Sequence, residues 1–277
     1  MGLKDEMQVY DSAPVSLVTG ETESYDSIFF PNVIRKRELE FIEQVLSRSR
    51  PKFILDFGCG GGWLSILLQK LGLDFVGMDI SKNMVKNAKI VCPNSEFIVC
   101  DAMRLPFRSD VFDFIIGISI LHHLDLRLTT DELKRVSVTK CTFLFMEPSL
   151  LNPLSAFGRK FFPMEAHTEG EKPYAPNNLK MALDSSGLKV EKLFTMFFFA
   201  FPAARVLKLV KLKPAMVFVN FAYHVEGVLE KIPFVRVLNS NIVVILSKKS
   251  FNAEISLGRR FFKILIGDLR IDATTSS

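Results

Sequence analysis

A glycine-rich turn between an apolar run and a helical pattern is the part of the sequence best suited to bind a ligand. Residues 54–57 read Ile-Leu-Asp-Phe, residues 58–62 hold four glycines and one cysteine, and apolar residues recur at helical spacing from Trp63 onward. Glycine tolerates positive φ and lets a ligand lie against the main chain. A helix N-terminus presents free N–H groups and a partial positive charge. The pattern therefore predicts a nucleotide-like ligand, with a plain structural turn as the alternative.

Two nucleotide-binding patterns compete for this loop. The dinucleotide pattern G-x-G-x-x-G/A needs a third small residue that lets the helix pack closely on the strand. Counted from Gly58, that position is Trp63, the single tryptophan of the chain. The pattern that fits is acid-x-G-x-G-x-G, formed by Asp56, Gly58, Gly60 and Gly62. It resembles the first motif of class I methyltransferases that depend on S-adenosylmethionine (SAM), in which the loop passes under the methionine part of SAM.

Three later apolar runs lead into polar residues in the same way. The run 75–78 leads to Asp79, the run 96–100 leads to Asp101, and the run 112–119 leads to the pair His122 and His123. Polar ends of successive parallel strands meet at the edge where open α/β sheets bind ligands. The fourth run and the Leu-His-His-Leu that follows it resemble the fourth motif of the methyltransferase family. Taken singly, each acid has an ordinary alternative as a strand-end cap or a solvated turn.

The resemblance implies SAM as the cofactor and a role for each matching position. Asp56 and the loop glycines would shape the methionine end, Asp79 would hold the ribose, and Asp101 would lie by the adenine. Ser119 would form the floor under the sulfonium. The implied cofactor-binding residues are Asp56, Gly58, Cys59, Gly60, Gly62, Asp79, Ile80, Asp101, Ala102 and Ser119.

Three histidines are candidates for a catalytic base. His122 and His123 follow the fourth predicted strand, and His167 lies in a later loop. A histidine near its usual pKa can take a proton from a hydroxyl acceptor. The alternative is that none is needed, because the positive leaving group drives methyl transfer and positioning with exclusion of water suffices.

Composition narrows the class of protein. The chain has 277 residues and 48% hydrophobic content, and it has no stretch of eighteen uncharged apolar residues that would predict a spanning helix. The first residues are polar and lack an apolar signal core, so a cytoplasmic location is expected. Its four cysteines form no C-x-x-C pair and read as buried thiols in a reducing compartment, so no metal site is predicted.

The alternation of strands and helices predicts a Rossmann-like α/β fold. It would have a seven-stranded, mostly parallel sheet with helices on both faces, an antiparallel edge hairpin and a helical insertion. Helices are expected over 34–46, from about Lys82 with Ser81 as its cap, and over about 176–185. A fifth strand is expected at 141–146, ending in Glu147, and the resemblance implies a turn at 137–140 ahead of it. The predicted divisions are an N-terminal lid and helix (1–50), a methyltransferase domain (51–250) with a loop (149–175) and a substrate-covering insertion (197–238), and a basic amphipathic tail (251–277).

Positive charge is concentrated in the C-terminal third. Residues 192–277 carry 13 Lys and Arg against 5 Asp and Glu, a net charge of +8 in a chain whose total is +5. Within 197–238, residues 205–213 place basic side chains between Leu and Val at helical spacing. This pattern fits the wall of a hydrophobic acceptor pocket, a helix on a membrane surface, or ordinary core with a solvated basic face. The expected partners are a small or lipid-like acceptor and a membrane surface bound through 197–238 and 251–277, with a peripheral location on the inner membrane face as the alternative to a purely cytoplasmic one. Nucleic acid is expected to be an unlikely partner, because the basic segment is as aliphatic as it is charged and contains no nucleic-acid module.

The sequence thus favours methyl transfer from SAM to a small or lipid-like acceptor, which releases S-adenosylhomocysteine. A non-catalytic SAM-binding module at a membrane surface is the alternative, because cofactor motifs report binding and not turnover. Chemistry with a nicotinamide cofactor is a third hypothesis, which Trp63 disfavours.

Overall fold

A computed structural model describes residues 29–153, 156, 173–197, 224–229 and 232–248. Within these residues, helices flank one seven-stranded sheet. The strands are β1 (Ile54–Phe57), β2 (Phe75–Asp79), β3 (Glu96–Val99), β4 (Phe112–Ile118), β5 (Ser137–Pro148), β6 (Leu188–Met196) and β7 (Asn241–Lys248). The helices are α1 (Phe29–Ser49), α2 (Trp63–Lys70), α3 (Lys82–Val91), α4 (Leu126–Val136), α5 (Pro176–Ser185) and α6 (Pro233–Val237), with a 3₁₀ turn at Leu121–His123.

The sheet order is β3-β2-β1-β4-β5-β7-β6. Strands β1 to β5 pair in parallel, whereas β7 runs antiparallel to both β5 and β6. The predicted fold class is therefore confirmed, including the antiparallel pair at one edge. The strand order reverses between β1 and β4, and ligands of open α/β sheets bind in the crevice at such a point, beyond the carboxyl ends of the strands.

Apolar side chains cover both faces of the sheet. On one face, α1 contributes Phe41, Ile42 and Val45 to a buried cluster with Leu64 and Leu68 of α2. On the other face, α4 and α5 supply Leu133, Val136, Leu179 and Leu183 to a second cluster. The central strands are buried on both sides, as strands of a parallel sheet must be when helices pack on each face.

Side-chain caps mark the starts of two helices. The Ser81 hydroxyl accepts a hydrogen bond from the N–H of Met84 and caps α3, as predicted. The carboxylate of Asp125 accepts from the N–H groups of Arg127 and Leu128 at the start of α4. The helix expected at 34–46 is longer in the structure, because α1 spans Phe29–Ser49.

One predicted turn is absent. Residues 137–140 were expected to form a turn ahead of a fifth strand at 141–146, but they are already part of β5, which starts at Ser137 directly after α4. Ser137 pairs with Phe112 of β4, so backbone pairing extends the strand past the polar residues. Among the described residues, no helix is long and apolar enough to cross a membrane.

Candidate active site at the carboxyl edge of the sheet

The backbone φ is positive at every second residue from Gly58 to Gly62, which matches the spacing of the glycines in the pattern. Gly58, Gly60 and Gly62 have φ values of 73°, 52° and 89°, in the left-handed region that side chains disfavour. The turn lies against the end of β2, because the N–H of Cys59 donates to the carbonyl oxygen of Met78 at 2.8 Å. The acid-x-G-x-G-x-G pattern therefore encodes a turn in which every second residue must be glycine.

The three glycines differ in what surrounds them. A Cβ on Gly58 would come within 2.9 Å of the Ile120 side chain, and one on Gly62 would come within 2.9 Å of Ala88 Cα in α3. A Cβ on Gly60 would meet nothing within 4 Å. Gly58 and Gly62 thus serve packing within the protein, whereas the loop at Gly60 borders open space where a ligand can approach the backbone.

Asp79 connects the end of β2 to the glycine loop. Its Oδ2 accepts a hydrogen bond from the N–H of Gly60 at 3.0 Å, and its Oδ1 accepts from the N–H of Ser81 at 2.9 Å. The side chain is half-buried, as is that of the next residue, Ile80. A carboxylate that is held by two backbone donors and still reached by solvent is well placed to accept further hydrogen bonds from a ligand.

Asp56 lies beneath the loop and is 2% exposed. Its Oδ2 accepts a hydrogen bond from the hydroxyl of Ser65 in α2 at 2.6 Å. The pKa of Asp56 is raised to about 7, and burial is the largest cause. The nearby charge of Asp79 also raises this pKa, whereas the Ser65 hydrogen bond lowers it. The same burial, together with the charges of Asp56 and Asp79, raises the pKa of the Cys59 thiol, so Cys59 is a neutral packing residue at this position.

Asp101 and Ala102 begin the loop that follows β3. The Asp101 Oδ1 accepts from the N–H of Met103 at 2.8 Å, and Ala102 is buried. The N–H of Cys100 donates to the carbonyl oxygen of Asp79, so this loop starts beside the glycine loop. The acids at the ends of β1, β2 and β3 therefore occupy one edge, as the sequence predicted from strand order.

The loop after β3 is anchored from α4. The Arg135 guanidinium donates to the carbonyl oxygens of Leu105 and Phe107 and to the carboxylate of Glu132. Glu132 also accepts from the N–H of Leu105 at 2.7 Å. This network fixes the loop that carries Asp101, and no local sequence pattern predicts it.

The end of β4 turns sharply toward the glycine loop. Ser119 is exposed and has a φ of 54°, which is uncommon for a residue other than glycine. Its N–H donates to the carbonyl oxygen of Met146 in β5 at 2.7 Å. The turn places Ile120 against Gly58, as the short distance from a Cβ at Gly58 indicates.

His122 lies in this turn and contacts a carboxylate. Its Nδ1 lies 2.7 Å from Oε2 of Glu147, and the two side chains are 5% and 0% exposed. The His123 ring lies against the His122 ring, with the centroids 4.0 Å apart. The third candidate histidine, His167, lies outside the described residues.

Glu147 is a residue of this site to which the sequence analysis gave no role. The sequence contains the same signal for Glu147 as for Asp79 and Asp101, because each is an acid at the carboxyl end of a predicted strand. The neighbouring Tyr174 donates from its hydroxyl to the carbonyl oxygen of Leu121 at 3.2 Å. Burial, followed by the charges of Glu147 and Asp125, raises the pKa of Tyr174 to about 12, so this hydroxyl is a neutral donor.

The central part of the chain matches a known family. Residues 55–145 match the family model described as "Methyltransferase domain". Residues 55–145 carry a class I SAM-dependent methyltransferase domain. The predicted family, with its enzyme class and its cofactor SAM, is confirmed for this segment, which includes the ends of β1 to β4 described above. The activity of the whole chain is a proposal.

Relatives of this methyltransferase domain act on different acceptors. A tRNA (carboxymethyluridine(34)-5-O)-methyltransferase of Arabidopsis thaliana is 39% identical over 90 residues, which are 30% of this chain and 19% of the relative. A demethylmenaquinone methyltransferase of Thermotoga maritima is 33% identical over 116 residues, which are 41% of this chain and 49% of the relative. The chain thus spans half or less of these curated relatives.

A solved structure extends the comparison to most of the chain. The geranyl diphosphate C-methyltransferase of Streptomyces coelicolor A3(2), solved with Mg²⁺, geranyl diphosphate and S-adenosyl-L-homocysteine, superposes with a TM-score of 0.58. The sequences are 11% identical, and the alignment covers 88% of this chain and 97% of the other. At this identity the likeness concerns the fold.

The prediction that nucleic acid is an unlikely partner is wrong. Relatives matched by this chain include tRNA and rRNA methyltransferases, so an RNA acceptor is plausible. The relatives' names cover acceptors of very different size, because a fold and its cofactor site do not specify the acceptor. An aliphatic, basic C-terminal third was therefore no ground for excluding RNA.

The other expectations from the sequence stay predictions. Most of the proposed membrane-binding insertion (197–238) and all of the basic tail (251–277) lie outside the described residues, as does much of the loop 149–175. The domain boundaries, the cytoplasmic location and the individual cofactor and catalytic roles are not tested by the family match. Within the described ranges, no group of three or more His, Cys, Asp or Glu side chains is arranged to hold a metal ion.

Proposed function

We propose that this chain transfers a methyl group from SAM to an acceptor and releases S-adenosylhomocysteine. The observation that carries the proposal is the joint geometry of Gly60 and Asp79. The Gly60 backbone borders open space, and its N–H donates to an Asp79 carboxylate that solvent still reaches. A loop of this kind fits a ligand with hydroxyl and charged groups, and a side chain at Gly60 would fill the space.

In this proposal, the residues at the carboxyl edge bind different parts of the cofactor. Asp79 accepts hydrogen bonds from the ribose hydroxyls, and Asp101 with Ala102 holds the adenine. The loop from Gly58 to Gly62 offers its backbone to the methionine end, and Ser119 lies beneath the sulfonium. SAM supplies the electrophilic methyl group when bound, and the protein aligns the acceptor and excludes water.

A small or lipid-like acceptor is the first candidate, supported by the demethylmenaquinone methyltransferase among the relatives, which is matched over a longer segment than the tRNA enzyme. An RNA nucleoside is the second candidate, supported by the tRNA methyltransferase and by the net charge of +8 in residues 192–277. Basic side chains neutralise backbone phosphates and supply the non-specific part of RNA affinity.

Methyl-labelled SAM tests both candidates in one experiment. Purified protein is incubated with an extract of the source cells, which is then separated into organic, small aqueous, RNA and protein fractions. Label in the organic or small aqueous fraction supports the first acceptor, and ribonuclease-sensitive label in the RNA fraction supports the second. The Asp79→Ala variant is the control, since it should transfer far less label to any fraction.

Two results would contradict the proposed function. If calorimetry shows SAM binding by the wild type, yet no fraction is labelled, the non-catalytic binding module becomes the better description. If SAM does not bind, the assignment of the glycine loop and Asp79 is wrong.

A further inference from the structure

The Glu147 carboxylate is the most heavily used acceptor at the carboxyl edge. Its Oε1 accepts from the N–H groups of Ile120 and Leu121 at 3.0 and 2.9 Å. Its Oε2 accepts from the N–H of His122 at 3.3 Å and lies 2.7 Å from the Nδ1 of the same residue. A fully buried carboxylate is costly unless it is hydrogen-bonded, and here each oxygen faces two nitrogens.

This arrangement decides which ring nitrogen of His122 carries the proton. Glu147 faces three backbone N–H groups, which can only donate, and a carboxylate is the form that accepts from all of them without a proton of its own. With Glu147 as a carboxylate, the His122 Nδ1 beside Oε2 is a donor. In a neutral imidazole the other nitrogen, Nε2, then holds the lone pair, because one ring nitrogen donates and the other accepts.

Glu147 also holds the backbone that carries His122. The turn begins at Ser119, whose φ of 54° is strained for a side-chain-bearing residue. The three N–H groups that follow all point to Glu147, and their hydrogen bonds offset the cost of the turn. Ile120, the first of the three, packs against Gly58 of the cofactor loop. The position of the His122 ring is thus tied to the loop expected to bind SAM.

We propose that Glu147 is a positioning residue that fixes His122 as the base of the methyl transfer. It holds the Nδ1–H form, so that Nε2 takes the proton of the acceptor. The acceptor atom forms its bond to the methyl carbon, the carbon–sulfur bond breaks with its electron pair going to sulfur, and the displaced proton moves to Nε2. This inference rests on the proposed function, because it needs an acceptor that loses a proton.

The protonated nitrogen of His122 can be measured in the wild-type protein. Nitrogen-15 NMR distinguishes Nδ1–H from Nε2–H imidazole by their chemical shifts. The chain has four histidines, and comparison with a His122→Gln variant identifies the signals of His122. We expect the Nδ1–H form for the neutral His122 ring. The Nε2–H form in the wild type would overturn the proposal without reference to any variant.

Two glutamine substitutions separate a specific role from general loss of a carboxylate. Glu147→Gln replaces the acceptor near Nδ1 with an amide that can donate, so we expect His122 to shift toward the Nε2–H form. Glu132→Gln is the matched control, since Glu132 also accepts a backbone N–H and contacts Arg135, but no contact links it to a histidine within the described part of the chain. An unchanged His122 spectrum in Glu147→Gln, or an equal change in Glu132→Gln, would contradict the positioning role.

A double-mutant cycle tests whether Glu147 acts through His122. With an acceptor in hand, Glu147→Gln should lower kcat by roughly 10²-fold or more with little change in KM for SAM, as expected for loss of a base. In a His122→Gln background the same substitution should lower kcat no further, because the residue it orients is absent. Equal losses in both backgrounds would show a purely structural role. A wild type with the expected Nδ1–H form but no methyl transfer would instead contradict the proposed function.

Discussion

The N–H of Gly60 donates to Oδ2 of Asp79 at 3.0 Å, which joins the glycine loop after β1 to the acid that ends β2. The two residues are 19 positions apart in the chain, and the parallel pairing of β1 with β2 brings them together. Neither group is sealed from solvent, because a Cβ at Gly60 would meet open space and Asp79 is half-buried. Four predictions follow from this edge and its supports.

Replacing Asp79 with alanine should weaken SAM binding by about 1–3 kcal/mol, because charge-assisted hydrogen bonds are lost. Isothermal titration calorimetry measures the change. The matched control is Asp113→Ala, since Asp113 also accepts backbone N–H groups, from Lys52 and Phe53, but at the amino end of β4. Asp113→Ala should lower stability and leave the SAM affinity unchanged. Equal affinities for wild type and Asp79→Ala would refute the ribose role.

Alanine at Gly60 should cost SAM affinity beyond its backbone strain. Gly60 and Gly72 have φ values of 52° and 66°, and a Cβ at either would meet nothing within 4 Å. Each alanine therefore carries a similar strain of about 1–2 kcal/mol, which thermal unfolding reports. Only Gly60→Ala should reduce SAM affinity, by at least tenfold, since Gly72 lies in the turn before β2. A loss of affinity of similar size in Gly72→Ala would mean that the effect is one of stability.

The buried carboxyl of Asp56 should make the protein less stable as the pH rises from about 4 to 7. Its pKa is about 7 in the folded protein against an ordinary value of 3.8. Between these values the unfolded chain has released the proton that the folded chain still binds, so the free energy of unfolding falls as pH rises. Below pH 4 there is no penalty, and above pH 7 the penalty is constant at no more than about 4 kcal/mol.

Urea unfolding from pH 4 to pH 8 checks this, with Asp56→Asn as the comparison. The asparagine cannot ionise but can still accept from Ser65, so its free energy of unfolding should fall less over this range. Ser65→Ala should extend the fall to higher pH and make it larger, because the Ser65 hydrogen bond lowers the pKa of Asp56. Identical pH slopes for wild type and Asp56→Asn would rule out Asp56 as their source.

Lysine in place of Arg135 should loosen the loop that carries Asp101. The guanidinium contacts two loop carbonyl oxygens and Glu132 together, and a single ammonium cannot reproduce that fork. We expect a loss of about 1–3 kcal/mol in stability and faster hydrogen exchange over residues 101–111. Lys180→Ala is the control, because its ion pair with Asp184 is half-exposed and worth little. Unchanged exchange over 101–111 in Arg135→Lys would show that other contacts hold the loop.

The described elements show where sequence patterns suffice. The helix expected at 176–185 matches α5 (Pro176–Ser185), because Pro176 starts the helix and its apolar spacing is regular. The turn expected at 137–140 is instead the start of β5, since pairing with β4 overrides the polar character of the segment. Local sequence therefore determines α5, where the proline at the start and the apolar spacing agree. Pairing with β4 determines the structure at 137–140, where the local sequence indicates a turn.

The sequence by itself determined the glycine loop and the strand-end positions of the acids beside it. The alternating glycines and the strand-end positions of Asp56, Asp79 and Asp101 depend on spacing within short segments, which sets backbone conformation locally. The tertiary structure alone decided that Asp56 is buried against Ser65 and that Glu147 reaches His122 across 25 positions. Those contacts depend on how β4 pairs with β5 and how α2 packs on the sheet. Such packing joins residues that are distant in the chain, so its free energy does not follow from the sequence of any one segment.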